Sequence, residues 1–429
     1  MKTKKILALV LCILMLIACT ACGSNTAEET KSAGEVSSAA EEVTITYWNL
    51  TMTDMPFEAD LIAQFKADNP GINVEVVQVP VENFHDKLIL AAQTNTLPDV
   101  AQGIPEWTAD MIEANVLKDI TADIKDVQDI YGSAIGLCEW DSNYYALPFR
   151  FGTSGIFVNT AIAEAAGIEI PESWTWEEFC EVARALTDPE KGVYGFGVPG
   201  AATGDLGLSW NYLTFALANG SGFIKDGKAD FANEASAEAL AELCKLMEEG
   251  VLPESTVSFT AADVVDAFGS GKVAMFMNGP WYAATVKASY PDLKFSTVQL
   301  PTWNTDAKSV SVNGGTYLSI CSTTKNYDEA LTFIKYMTGE DIMRQWASQG
   351  EFIPAVSSLM DDEMFTTGLM APFAYQAKQP STTIAATVEN TTLMEILQTE
   401  IDHALLGEKN PEDALADAAA RWNEILASH

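Results

Sequence analysis

Four places in this 429-residue chain set a large aromatic or planar polar side chain at a break in the local pattern. They are Trp48-Asn49, Arg150, Trp281 and Asn313-Gly314-Gly315. An indole stacks on the apolar C–H face of a polyhydroxylated molecule, while amide and guanidinium groups meet its hydroxyls. Arg150 also suits a carboxylate, or a structural ion pair with one of the many acidic residues. Catalytic patterns are scarce. Only His85, His403 and His429 are present, and Cys138, Cys180, Cys244 and Cys321 are too scattered to spell a metal site. Neither a metal ion nor a cofactor is expected, and no catalytic residue is assigned. Sixty acidic residues leave a two-carboxylate hydrolase open as the rival from the enzyme class.

The elements that must position these residues alternate in type. Residues 43–48 read as a strand broken at 49–56, and 57–67 as a helix stopped by Asn69-Pro70-Gly71. A strand over 72–79, a helix over 83–94 and a short strand over 99–102 follow. This alternation predicts an α/β fold with mostly parallel sheets covered by helices on both faces. An apolar stretch at 144–150 leads to a strand at 155–159. Helices are predicted at 160–166, 175–186, 211–219 and 236–249, and a strand at 273–277.

Trp48-Asn49 is placed where the first strand ends, the side on which open α/β sheets receive ligands. Asn278-Gly279-Pro280 reads as a strand exit into a helix start with Pro at the first helical position, so Trp281 faces a cleft. Arg150 closes a strand near one crossover, and Asn313-Gly314-Gly315 marks a second, where glycine allows a bend or a close approach. The body from residue 43 onward is too long for one ordinary core. With no Pro-rich linker, two lobes crossed more than once by the chain form a hinged pair.

The N-terminus adds an address. Lys2, Lys4 and Lys5 precede an apolar run at 6–18 and then Cys19 and Cys22. This is the layout of a secretory signal peptide, with a core too short to span a bilayer as a helix. Leu16-Ile17-Ala18-Cys19 resembles a bacterial lipobox, and Ala21-Cys22-Gly23-Ser24-Asn25 competes with it. Cys19 or Cys22 is therefore the expected acylated residue, with the signal over 1–22 and a Ser/Ala/Glu/Thr-rich tether over 23–42. The expected location is the outer face of the cytoplasmic membrane. Formal charge is −36, and removal of the three leader lysines takes it to −39. Such a surface repels phosphates, which argues against a nucleic-acid partner.

Three ordered blocks then carry a family resemblance. They are Tyr145-Ala146-Leu147-Pro148 with Phe157-Val158-Asn159-Thr160, Ala166-Gly167-Ile168, Pro171 and Trp174 through Phe179; Phe268 through Trp281; and Asn326 through Ala330 with Phe333 through Tyr336, Trp346, Gly350 and Ile353-Pro354-Ala355. Together they resemble the family 1 extracellular solute-binding proteins of ABC importers, most closely the sugar and maltodextrin binders. The resemblance implies a type II periplasmic-binding-protein-like fold. Its expected lobes are 43–150 plus 315–358, and 151–314 plus 359–429. It further implies a monomer that binds a carbohydrate and delivers it to an ABC permease. In that family the aromatic after the Gly-Pro stacks on the ligand, which is Trp281 here. Trp210 resembles a second stacking aromatic, ahead of the helix at 211–219. Gln102, Glu106 and Trp107 fall where hydroxyl partners are supplied, while Asp99 holds a turn. Polyamine or iron cargo on the same fold remains an alternative, but Trp, Asn, Gln and Arg favour a neutral polyol.

Overall fold

A computed structural model describes residues 42–51, 56–201, 207–348, 352–383, 387 and 389–428. The expected signal segment, Cys19, Cys22 and the tether through residue 41 lie outside the described residues. The strands are β1 (Val43–Thr51), β2 (Ile72–Pro80), β3 (Val100–Gly103), β4 (Glu139–Trp140), β5 (Asn143–Tyr144), β6 (Ala146–Gly152) and β7 (Gly155–Asn159). After residue 160 come β8 (Tyr194–Gly197), β9 (Ile224–Lys225), β10 (Lys228–Ala229), β11 (Val273–Asn278), β12 (Phe295–Val298), β13 (Ser311–Ile320) and β14 (Ser381–Thr383).

Two sheets organise the body. The first runs β14-β13-β3-β1-β2, with β6 also paired to β13, and the second runs β12-β7-β11-β8. The remaining strands form the short hairpins β4–β5 and β9–β10. Pairing is mixed rather than mostly parallel. β1–β2, β1–β3, β13–β14 and β8–β11 are parallel, whereas β3–β13, β6–β13, β7–β11 and β7–β12 are antiparallel. The antiparallel pairs gather on β13 and β7, the strands reached just after the chain passes from one sheet to the other. The first such passage, from β6 to β7, is only Thr153-Ser154 long. Every residue of β6 and β7 is buried, which explains why both read as continuous apolar runs rather than as alternating strands.

Three apolar clusters fill the layers. One includes Tyr47, Phe65, Phe149, Phe333 and Ile334. Leu50, Val79, Phe84, Leu88 and Ala101 pack between the first sheet and the helix Val81–Thr94. A third includes Trp176, Phe179, Phe196, Phe215 and Trp422 around the second sheet. Helix starts follow the local signals. Thr175 accepts from the Glu178 N–H while Glu178 reaches back to the Thr175 N–H, a capping box that fixes the start of Trp176–Leu186.

Asp99 is a structural hub, in keeping with its expected turn-holding part. Its carboxylate accepts from Thr46 N (2.8 Å), Thr46 Oγ1 (3.0 Å), Thr324 Oγ1 (2.5 Å) and Asn326 Nδ2 (3.3 Å). It thereby ties β1 to the loop that follows β13. Cys138, Cys180, Cys244 and Cys321 are all unpaired. Burial pushes the thiols of Cys180 and Cys244 up to about 12, so both stay protonated and unreactive at neutral pH.

Candidate ligand-binding site

The site grows from two glycines facing each other across β6 and β13. Gly152 pairs with Gly314, and each lies against an indole. A Cβ built on Gly152 would fall 2.6 Å from Trp281 Cζ3, and one on Gly314 would fall 2.8 Å from Trp210 Cη2 and 3.5 Å from Trp281 Cη2. The missing side chains are therefore what lets both rings settle onto the strands. Phe352 extends the aromatic wall, its ring centroid 5.9 Å from that of Trp281. Trp210 is held by its Nε1–H, which donates to Ser154 Oγ in the β6–β7 passage at 2.9 Å.

Local structure shifts two of these residues from their expected settings. The helix carrying Trp210 is Gly207–Ala218, so the indole sits inside its first turn rather than ahead of it. Gly207, at φ +46°, starts the helix early, and the Ser209 N–H is satisfied by Gln398 Oε1 at 3.0 Å. Pro280 is the cap of Trp281–Ser289 rather than its first residue, which makes Trp281 the first helical position. Both indoles remain partly exposed.

Asn313 is buried; its Nδ2 donates to Ser381 Oγ at 2.8 Å while its Oδ1 has no partner, and Asn211 Oδ1 is likewise unpartnered. Gly315, at φ +137°, brings β13 so close to β6 that a Cβ there would lie 2.1 Å from the Arg150 carbonyl oxygen. Substitution at that position would force the two strands apart.

Asn49, Gln102 and Arg150 belong to one buried network. Glu58, at the start of the helix Pro56–Asp68, accepts from Tyr47 O–H (2.8 Å), Asn49 Nδ2 (3.0 Å) and Arg150 Nη2 (3.3 Å). Burial and then the Glu58 charge hold the Tyr47 hydroxyl well above its ordinary value, so it stays a donor. Gln102 donates to Thr316 Oγ1 at 2.8 Å and accepts from Leu50 N at 3.0 Å, so its amide is engaged in joining strands.

Trp48 and Trp107 are placed elsewhere. β1 does not end at Trp48: it runs to Thr51, with Trp48 opposite Val77 and Asn49 opposite Gln78. Asn49 is polar, which breaks the strand pattern in the sequence, but Glu58 satisfies it inside the fold. Trp48 points to the opposite face from Asn49, where Lys87 lies 4.3 Å from its ring centroid. Trp107 is buried in the same layer, stacked on Phe84 with centroids 6.1 Å apart. Its neighbour Glu106 is also buried, in the turn Pro105–Trp107.

The family model for bacterial extracellular solute-binding proteins matches residues 50–344. The chain belongs to this family. A putative binding protein of Brucella abortus is 23% identical to this solute-binding protein over 408 residues, spanning 91% of this chain and 94% of that one. The multiple sugar-binding protein of Streptococcus mutans is 24% identical over 365 residues, 80% of each chain. Among solved structures, the cyclic α-maltosyl-1,6-maltose binding protein of Arthrobacter globiformis superposes with a TM-score of 0.79 at 22% identity, covering 90% of this chain and 100% of that one. A solute-binding protein of Thermotoga lettingae bound with α-D-tagatose gives 0.74 at 24% identity, covering 89% and 99%. The shared fold is two-lobed and α/β. No helix among the described residues of this solute-binding protein is long and apolar enough to cross a membrane.

Sequence reasoning missed Glu58, Gly152, Ser154 and Phe352. Phe352 falls between Gly350 and Ile353 of the third resembling block but was not itself singled out, and Glu58 lies in the first turn of its helix, where an acidic residue is ordinary. Gly152 carried one usable signal, a glycine ending a strand of large residues. Gly152→Ala should displace the Trp281 ring while keeping an allowed backbone. Expected is a loss of about tenfold in solute affinity, near 1.4 kcal/mol, with an unchanged urea midpoint; unaltered affinity by titration calorimetry would contradict the contact.

Proposed function

We propose that this chain captures a neutral saccharide between its two lobes and delivers it to an ABC permease. In this reading, acylated Cys19 or Cys22 holds it on the outer face of the cytoplasmic membrane, and the body acts as a monomer. The lobes are 43–150 plus 315–358 and 151–314 plus 359–429, hinged where β6 meets β7 and at Asn313-Gly314-Gly315. The observation that carries the reading is the pair of partly exposed indoles, Trp210 and Trp281, both seated on Gly314. Flat aromatic surface offers stacking to C–H faces, and the unpartnered amide oxygens of Asn211 and Asn313, next in sequence to Trp210 and Gly314, are acceptors for hydroxyl groups.

Relatives support the ligand class. They include the multiple sugar-binding protein above, a lactose-binding protein of Rhizobium radiobacter and an arabinooligosaccharide-binding protein of Bacillus subtilis. Closure follows from a ligand that touches both lobes and so favours the closed state.

The test is a thermal-shift screen of residues 43–429 against neutral sugars, oligosaccharides, uronates, spermidine and ferric chelates. Binding to the folded state alone raises the melting temperature by mass action. A rise with a neutral saccharide is the expected result. A rise with spermidine or a chelate alone overturns the cargo, and reducing sugar released from a glycoside overturns the receptor reading.

A further inference from the structure

Arg150 and Glu58 are the most enclosed ion pair among the described residues, with side chains 1% and 4% exposed. Arg150 is walled by rings, its guanidinium carbon 4.7 Å from the Trp346 centroid, 5.2 Å from Phe149 and 5.4 Å from Phe352. Nη2 faces Glu58, but Nε and Nη1 have no partner. Those two nitrogens carry three of the five guanidinium N–H donors. Glu58, by contrast, is occupied on both oxygens by Tyr47, Asn49 and Arg150. Buried donors without acceptors are costly, so an acceptor that reaches Nε and Nη1 would complete this arrangement.

The acceptor's direction follows from the strand. Arg150 and Gly152 are two residues apart on β6, hence on one face, and their partners on β13 are Thr316 and Gly314. Gly152 is where Trp281 rests, and Phe352 lies against both the Arg150 guanidinium and the Trp281 ring. The free donors and the stacking ring therefore belong to one site.

Charge decides what that acceptor is. Arg150 and Glu58 sum to zero, so hydroxyl oxygens take the free N–H groups without leaving a net charge. A carboxylate would bring an uncompensated negative charge beside Glu58 into a low-dielectric enclosure. The whole chain, at −36, adds repulsion in the same sense. We propose that Glu58 determines ligand charge: by neutralising Arg150 it selects an uncharged saccharide and rejects the acidic counterpart. This rests on the saccharide reading above.

The test is calorimetric titration with matched probes, namely glucose, galactose and galactobiose against glucuronate, galacturonate and digalacturonate. The wild-type protein should prefer a neutral member over its uronate by about tenfold or more. Glu58→Gln keeps the shape of the acceptor but leaves Arg150 cationic, and should move that ratio by about tenfold or more toward the uronate. Should that variant not fold, Glu58→Gln/Arg150→Met removes both charges together and should keep the melting temperature while losing affinity for the neutral probe. An unchanged ratio in folded Glu58→Gln, a wild-type preference for the uronate, or undiminished neutral-probe affinity in the double variant each overturns the proposal. Wild-type silence toward all six probes is a different result, which overturns the saccharide reading itself and takes this inference with it.

Discussion

Trp281→Ala is expected to reduce saccharide affinity by about 30- to 1,000-fold, the range that 2–4 kcal/mol of lost anchor contact corresponds to. The indole is the first residue of its helix, rests on Gly152 and Gly279, and shares a wall with Phe352. Alanine removes the flat surface and leaves a gap beside two glycines, which no neighbour can fill because neither has a side chain. Trp281→Phe keeps a smaller face and should lose about tenfold. The ring is partly exposed, so the melting temperature of the unliganded protein should stay close to wild type. The measurement is the thermal shift at saturating saccharide for all three proteins. Equal shifts would show that the ligand does not stack on Trp281.

The largest loss of stability is expected from Trp422→Ala. Trp422 is fully buried on the helix Pro411–Leu426, where its Nε1–H donates to the Leu393 carbonyl at 2.6 Å. Its ring lies 5.2 Å from Phe223 and 4.8 Å from Phe231, both meeting it edge to face. One side chain thus fastens the last helix to Asn390–Leu405 and to the segment around β9 and β10. Truncating a buried Trp to Ala costs about 3–5 kcal/mol, a large part of the roughly 5–15 kcal/mol that keeps a domain folded. A urea titration should show an earlier midpoint with a similar slope. An unchanged midpoint would mean that the helix is not held by this contact. Affinity measured on the folded protein should be unaffected, which separates this variant from Trp281→Ala.

Much of the fold is legible in the sequence because its signals are local. Residues 155–159 and 160–166 read as the strand and helix they form, and Thr175 with Glu178 announces the helix start at Trp176. Trp281 was findable for the same reason, since a Gly-Pro step before an aromatic marks a strand-to-helix exit. What escaped depends on partners far along the chain. Asn49 looks like a strand breaker until Glu58 is placed beneath it, so β1 runs three residues past its expected end. Trp107 sits in a turn, where an aromatic serves a ligand or a core equally well, and only Phe84 beside it shows that it is core. Antiparallel pairing was hidden for a related reason: β13 joins β3 and β6, about 160–220 residues earlier, and no local pattern encodes that pairing. Gly152 mattered only once Gly314 and Trp281 were known to meet it.

The place of β13 has a bearing on how this protein is made. It lies between β3 and β6 in the first sheet, yet it is complete only at Ile320 of a 429-residue chain. Until then β3 presents an open edge, and β6 has no strand to join it to the sheet. A polypeptide emerging from the ribosome therefore cannot join β3 to β6 until Ile320 has been made, however favourable its early helices are. Unpaired strand edges of that kind attract other chains, so the nascent form depends on being kept apart from its neighbours for longer than a protein whose sheets assemble in sequence order.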